Sequence, residues 1–219
     1  MKDNGETLQL DLQENTRHKQ FLVTILKGKN GAPYMRIPNI STVMISLNDS
    51  SNANLINLIK YKFPANISSL TIVSLASKAH PLKPYIDALV LARTNIKNEL
   101  CFRMCAIDGI TLTRIFAMNC KTQTISFFGV TFTELEKFTI NQSAHYSIKE
   151  LSFAYCIGLT NMKGNFATIL NAIGKNNNLS TSLTSIESIG NKIGSEEVVK
   201  NALALANISQ AILSFDQSL

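Results

Sequence analysis

The residue types used most often in catalysis and metal binding are sparse in this 219-residue chain, and their positions do not match the spacing of a known catalytic or metal-binding motif. His18, His80 and His145 lie far apart, and none of the four cysteines forms a Cys-x-x-Cys pair. Cys101 and Cys105 could point to the same side of one strand, as a zinc site would need, but no further ligand accompanies them. Paired carboxylates and the spacing of a phosphate-binding loop are also missing from the sequence. We therefore expect no enzymatic activity, no bound metal and no cofactor.

A pattern of apolar residues, by contrast, recurs seven times along the chain. It reads apolar-x-x-apolar-x-apolar-x-x-Asn/Cys, and its clearest copies are Leu183–Asn191 and Ile148–Cys156, while Leu100–Cys105 carries positions four to nine of a third. The residue at position four of each copy is called the anchor. In chain order the anchors are Val43, Leu70, Leu100, Ile125, Leu151, Ile186 and Ala211. The intervals between successive anchors are 27, 30, 25, 26, 35 and 25 residues.

This pattern predicts strands that alternate with helices. Positions four and six point to the same side of a strand, which would therefore be buried on one face. A helix in each interval would return the chain, so that successive strands run parallel. Helical spacing covers 55–63, 82–89, 166–173 and 198–206, whereas 112–116 and 135–138 suggest single turns, and 176–182 a polar loop. The ninth-position residues are predicted to bond backbone groups at the ends of the strands: Asn48, Cys105, Cys156 and Asn191.

The repeats resemble those of leucine-rich repeat proteins, in particular the ribonuclease-inhibitor-like class. The resemblance implies an α/β fold, a leucine-rich-repeat-like βα solenoid with a parallel sheet and about six to seven repeats, over residues 40–219. Residues 1–39 would then form an N-terminal cap or a degenerate first repeat. The composition, rich in Asn, Lys, Ile and Ser, also resembles that of large repeat families in ciliated protists. The residues alone leave open an ordinary doubly wound α/β sheet.

Composition places the chain among globular proteins, with 45% hydrophobic and 16% charged residues. No apolar run approaches the roughly 20 residues of a membrane span, and the acidic N-terminus is not a signal peptide, so a cytoplasmic location is expected. Buried free thiols would fit that reducing compartment. The net charge of +6 includes a basic group between Arg17 and Arg36, which is interpreted as a solvated N-terminal face, and nucleic-acid binding is not expected. After the last repeat, either a partner covers the final strand or the chain is a fragment of a longer array.

Positions five, seven and eight of each copy are predicted to face outward on a concave sheet. Among them, Arg103, Met104, Phe128 and Tyr155 come from three successive repeats and should be neighbours. Aromatic, Met and Arg side chains are enriched in binding hot spots. The resemblance implies a non-enzymatic protein-interaction scaffold that binds a protein partner through this face. The alternatives are a regulator of a small GTPase, as one branch of the repeat class implies, and a doubly wound α/β enzyme of unknown substrate.

Overall fold

The computed structural model describes residues 6–11, 40–47, 53–63, 65–74, 80–118, 121–160, 165–193, 196–209 and 212–216. The strands are β1 Glu6–Asp11, β2 Ile40–Leu47, β3 Asn66–Ser74, β4 His80–Pro81, β5 Asn95–Arg103, β6 Cys105–Asp108, β7 Thr124–Phe128, β8 Thr131–Thr133, β9 Glu150–Ala154, β10 Ser185–Ile189 and β11 Leu213–Asp216. Several residues that the sequence singles out lie outside the described residues: Asn48, Ala211, the fourth cysteine, Cys120, and residues 12–39 of the expected cap, which hold the basic group.

The strands form two parallel sheets. The larger has eight strands in the order β1-β2-β3-β5-β7-β9-β10-β11, and the smaller has the order β4-β6-β8. Each strand of the larger sheet therefore lies beside the strands that precede and follow it in that sheet along the chain. Leu100 pairs with Leu70 on one side and with Ile125 on the other. This confirms the predicted neighbours of Leu100, and the fold is α/β with a parallel sheet.

The helices connect the strands and pack beside one another. They are α1 Ala53–Lys62, α2 Lys83–Ala92, α3 Gly109–Met118, the 3-10 helix η1 Leu135–Lys137, α4 Phe166–Gly174, α5 Asn177–Ser182 and α6 Glu196–Leu205. Contacts run from α1 to α2, α2 to α3, α3 to η1, η1 to α4 and α4 to α6, so this layer follows the chain order of the strands. No helix in the described ranges is long and apolar enough to cross a membrane.

Two expectations about the helices were wrong. The segment around Leu112 is not a single turn, because α3 extends for ten residues from Gly109. The polar segment 176–182 is not a loop. Asn176 caps α5 by accepting a hydrogen bond from the Leu179 backbone N–H at 2.7 Å, and its amide nitrogen donates to three carbonyls of the segment 141–144. A buried cap with all of its partners outweighs the low intrinsic helix propensity of the Asn and Ser residues.

The core lies between the sheet and the helices and is built from the in-register anchors. All anchors from Val43 to Ile186 are almost completely buried. At position six, Phe127 stacks between Phe102 and Phe153, with ring centroids 5.6 Å and 5.1 Å apart. Phe132 and Phe166 close this aromatic cluster from the smaller sheet and from α4. The repeated apolar positions therefore stack as ladders across neighbouring strands, where each ring shields the next from water.

The ninth-position side chains bond the preceding strand, as the sequence predicts. The Asn191 amide nitrogen donates to the Phe153 carbonyl at 2.6 Å, and its oxygen accepts from the Cys156 backbone N–H at 2.6 Å. Cys156 Sγ lies 3.5 Å from the Phe127 carbonyl, and Cys105 Sγ lies 3.7 Å from the Ile72 carbonyl. The three contacts with carbonyls each join position nine to the position-six carbonyl of the preceding strand in the larger sheet. Both thiols also lie within hydrogen-bonding distance of the position-seven carbonyl of their own repeat, at 3.0 Å for Cys105 and 3.5 Å for Cys156.

Asn191 also explains the one polar residue in the clearest copy of the pattern. Ser188 stands at position six, where other copies carry Phe or Ile, and it is buried. Its hydroxyl accepts a hydrogen bond from the Asn191 amide at 2.8 Å. A buried hydroxyl with a partner avoids most of the cost of removal from water.

The last repeat is shifted relative to the prediction. The structure pairs Ile186 with Leu213, so Leu213 and not Ala211 occupies the anchor position of β11. The sequence offered apolar residues with the same alternation at both places, and a strand period of two cannot distinguish them.

We expect Asn191→Ala to lower the free energy of unfolding by about 2–4 kcal/mol. The change leaves the Phe153 carbonyl, the Cys156 N–H and the buried Ser188 hydroxyl without their side-chain partner, and a fully buried unsatisfied group costs roughly 1–3 kcal/mol. Asn191 is only half-buried, so water replaces part of the lost bonding and the expected total is below the sum of three full costs. Urea denaturation measures the change. The control is Asn98→Ala, which removes an exposed hydrogen bond to Ser68 and should cost less than about 1 kcal/mol. Equal losses for the two variants would contradict a structural role for position nine.

Candidate functional site

The backbone bends out of the larger sheet at position eight of four successive repeats. Met104, Gly129, Tyr155 and Gly190 occupy this position, and all four have a positive φ, between 54° and 61°. The backbone N–H groups of the first three donate to carbonyls of the neighbouring strand at 2.8–2.9 Å, so the ladder continues through the bend. A left-handed residue reverses the alternation of side chains, and Met104 and Tyr155 consequently point away from the core.

The structure brings the four predicted site residues together. The Arg103 guanidinium lies 5.5 Å from the centre of the Phe128 ring, and the Phe128 and Tyr155 rings meet edge to face at 5.6 Å. The Met104 backbone N–H donates to the Phe128 carbonyl at 2.9 Å. Arg103 is exposed, and the exposed fractions of Met104, Phe128 and Tyr155 are 54%, 38% and 58%. These four residues are called the carboxyl-end patch, since they lie where β5, β7 and β9 end.

Glycine alternates with a large side chain at the bend, and this alternation makes room for the patch. A Cβ atom placed on Gly190 would lie 2.6 Å from two carbon atoms of the Tyr155 ring. A Cβ atom on Gly129 would lie 3.6 Å from Met104 Cγ. The Tyr155 ring therefore lies where a side chain at Gly190 would stand, whereas at Gly129 a Cβ atom would make only an ordinary van der Waals contact with Met104. The alternation is visible in the sequence, where position eight holds Met, Gly, Tyr and Gly in successive repeats. The apolar pattern, however, does not indicate a left-handed backbone there.

The prediction that position eight faces outward was wrong for the first two repeats. Leu47 and Ser74 are buried, because β2 and β3 continue through them and strand alternation directs them to the same side as positions four and six. Cys101, at position five, is also buried although it was expected to face outward. Arg103, two residues along the same strand, interacts with its thiol and shares that side of the strand.

One exposed residue beside the patch was missed by sequence reasoning. Ile157 follows Cys156 and is 64% exposed. Its backbone N–H donates to the Val130 carbonyl, and its carbonyl accepts from the Phe132 N–H, both at 2.8 Å, so the residue is fixed at the edge of the smaller sheet. Position ten holds Ala106 and Thr131 in the two preceding repeats, which gave no reason to single it out.

The described cysteines have the properties of core residues. Burial raises the pKa of Cys105 to about 12 and that of Cys156 to about 11, and it also raises the pKa of Cys101, against the opposing effect of Arg103. None of these three forms a disulfide. The described residues contain no group of three or more His, Cys, Asp or Glu side chains that could hold a metal ion.

No family model, curated protein or solved structure matches this chain. The protein is an α/β protein whose parallel sheet carries an exposed patch of one Arg, one Met and two aromatic side chains at the carboxyl ends of β5, β7 and β9.

We expect Cys105 and Cys156 to react with a thiol reagent at pH 8 at least about 10²-fold more slowly than an unperturbed thiol of pKa about 8.5. Burial keeps both in the thiol form, whereas the thiolate is the nucleophile. The measurement is alkylation under native conditions, and peptide mass spectrometry reports the labelling of Cys105 and Cys156 separately from that of Cys120. Labelling of the denatured chain is the control, since it gives the rate of each thiol without burial. Native labelling at the rate of the denatured chain would contradict the buried assignment.

We expect Tyr155→Gly to be more stable than Tyr155→Ala by about 0.5–1 kcal/mol. Both changes remove the ring, but only glycine adopts the left-handed backbone without strain. Ala154→Gly is the matched control one residue earlier, where the backbone is extended and glycine should destabilise by about 0.5–1 kcal/mol. Thermal unfolding of the three variants measures both differences. A glycine that destabilises equally at 154 and 155 would show that the bend imposes no strain.

Proposed function

We propose that this protein is a non-enzymatic interaction scaffold that binds a protein partner through the carboxyl-end patch. In this proposal, the chain is a leucine-rich-repeat-like solenoid, and the patch lies on its concave sheet. The strand β1 then acts as a degenerate first repeat or cap for the array.

The arrangement of the elements supports the repeat architecture. Strands follow one another across the larger sheet in chain order, and the helices contact one another in the same order. A doubly wound sheet reverses its strand order at a switch point, where the ligand of such enzymes usually binds. The eight strands of the larger sheet show no such reversal, which weighs against the enzyme alternative.

The observation that carries the proposal is the pair of large exposed side chains on strained backbone. Met104 and Tyr155 occupy left-handed positions where Gly129 and Gly190 stand in alternate repeats. A non-glycine residue in this conformation costs about 1–2 kcal/mol, and an exposed ring recovers only part of this through burial. Strained backbone clusters at ligand-binding sites, and at Met104 and Tyr155 it coincides with large exposed side chains on neighbouring strands, which supports a binding role.

The experiment is affinity measurement with a partner captured from cell extract. We expect Phe128→Ala and Tyr155→Ala each to weaken binding by about 30-fold, which corresponds to about 2 kcal/mol for a hot-spot residue. Lys137→Ala is the control, because Lys137 is exposed on η1 and pairs with Glu134. It should change affinity by less than about threefold.

The fold of each variant is compared by thermal unfolding before binding is measured. If Lys137→Ala weakens binding as much as the aromatic changes, the partner binds the helical side and the proposed site is wrong. If the aromatic variants bind as well as the original chain, the patch has no part in recognition.

A further inference from the structure

We propose that the partner segment recognised by the carboxyl-end patch is acidic and apolar, with a carboxylate that pairs with Arg103 and apolar side chains that cover Phe128 and Tyr155. This inference rests on the proposed function and adds the chemistry of the partner. It follows from the charge of the patch and from the side chains that surround that charge.

Arg103 is held in place and has no acidic partner among the described residues. Its guanidinium lies over the Phe128 ring, and that stacking orients it at the surface. The ion pairs of the described residues are Lys83–Asp87, Arg114–Asp87 and Lys137–Glu134, none of which involves Arg103. A guanidinium already fixed by an aromatic ring loses little further freedom when it binds a carboxylate.

The acidic residues of the same sheet face lie too far away to neutralise Arg103. Glu99 precedes it by four residues on β5, which corresponds to about 13 Å along the strand. Glu150 is two strands away and level with Glu99, and Glu187 is three strands away and level with Cys101. With these offsets along the strands, the backbone of each is about 16 Å from that of Arg103. The screening length at physiological salt is about 8 Å, so among the described residues the local charge of the patch is positive.

The surroundings of Arg103 are apolar. Met104, Phe128 and Tyr155 are exposed beside it, and Ile157 follows at the end of the same repeat as Tyr155. A partner that covers these side chains also removes water from the guanidinium. An unpaired buried charge would then be costly, whereas a carboxylate paired with it offsets that cost. A neutral or basic segment on the same surface would leave the guanidinium without a partner or add a like charge.

The test uses the immobilised full chain and a display library of random 12-residue peptides. We expect the bound peptides to be enriched in Asp or Glu within a few residues of Leu, Phe, Tyr or Trp. Arg103→Glu should shift the enrichment to Lys or Arg, whereas Arg103→Lys should keep the acidic preference. The matched control is Lys175→Glu, a charge reversal at an exposed residue that ends α4 and leaves the patch intact.

One selected peptide then gives a quantitative comparison. We expect Arg103→Ala to weaken its binding by about tenfold or more, and the loss to disappear when the acidic residue of the peptide is replaced by its amide.

Bound peptides that depend on Phe128 and Tyr155 but lack an acidic residue would overturn this inference and leave the proposed function standing. If no peptide is enriched, or if binding ignores Phe128 and Tyr155, the patch recognises no acidic segment and the inference is wrong. The captured-partner measurement then decides the proposed function separately.

Discussion

The structure depends on how the chain leaves the sheet at the end of each strand. A parallel strand ends with backbone carbonyls that helix and loop do not satisfy, and buried carbonyls without partners are costly. In this protein the position-nine side chain returns to the position-six carbonyl of the preceding strand, through an amide for Asn191 and through a thiol for Cys105 and Cys156. The same contact joins neighbouring repeats, so that the end of one strand fixes the position of the next.

The bend that permits this contact also creates the exposed patch. The chain must turn between positions seven and nine, and a left-handed residue at position eight makes the turn while its N–H still bonds the neighbouring strand. Its side chain then points outward, so a structural requirement of the sheet places Met104 and Tyr155 at the surface. Gly190 leaves the space over which the Tyr155 ring lies.

The chemistry of position nine reflects its environment. A thiol is a weak donor but buries readily, and burial keeps it protonated, as the raised pKa values of Cys105 and Cys156 show. Asn191 offers more bonds, and the additional donor satisfies Ser188, the polar residue that interrupts the apolar ladder.

The sequence by itself determined the strands of the larger sheet from β2 to β10, because a period of two in apolar residues marks a buried strand face. It also determined their parallel order along the chain, because an interval near 28 residues leaves room for a helix between strands. The inward contacts of position nine were predicted from the same pattern. It also placed Arg103, Phe128 and Tyr155 side by side, since equal positions of adjacent repeats align. Only the tertiary structure decided which way position eight points. Leu47 is buried and Tyr155 is exposed at the same repeat position, because the left-handed backbone at Tyr155 reverses the alternation of side chains. The apolar pattern of the sequence does not indicate the sign of the backbone angle φ. The capped helix α5 and the anchor Leu213 were likewise decided by contacts between distant segments, where partners for Asn176 and pairing with Ile186 outweigh local preference.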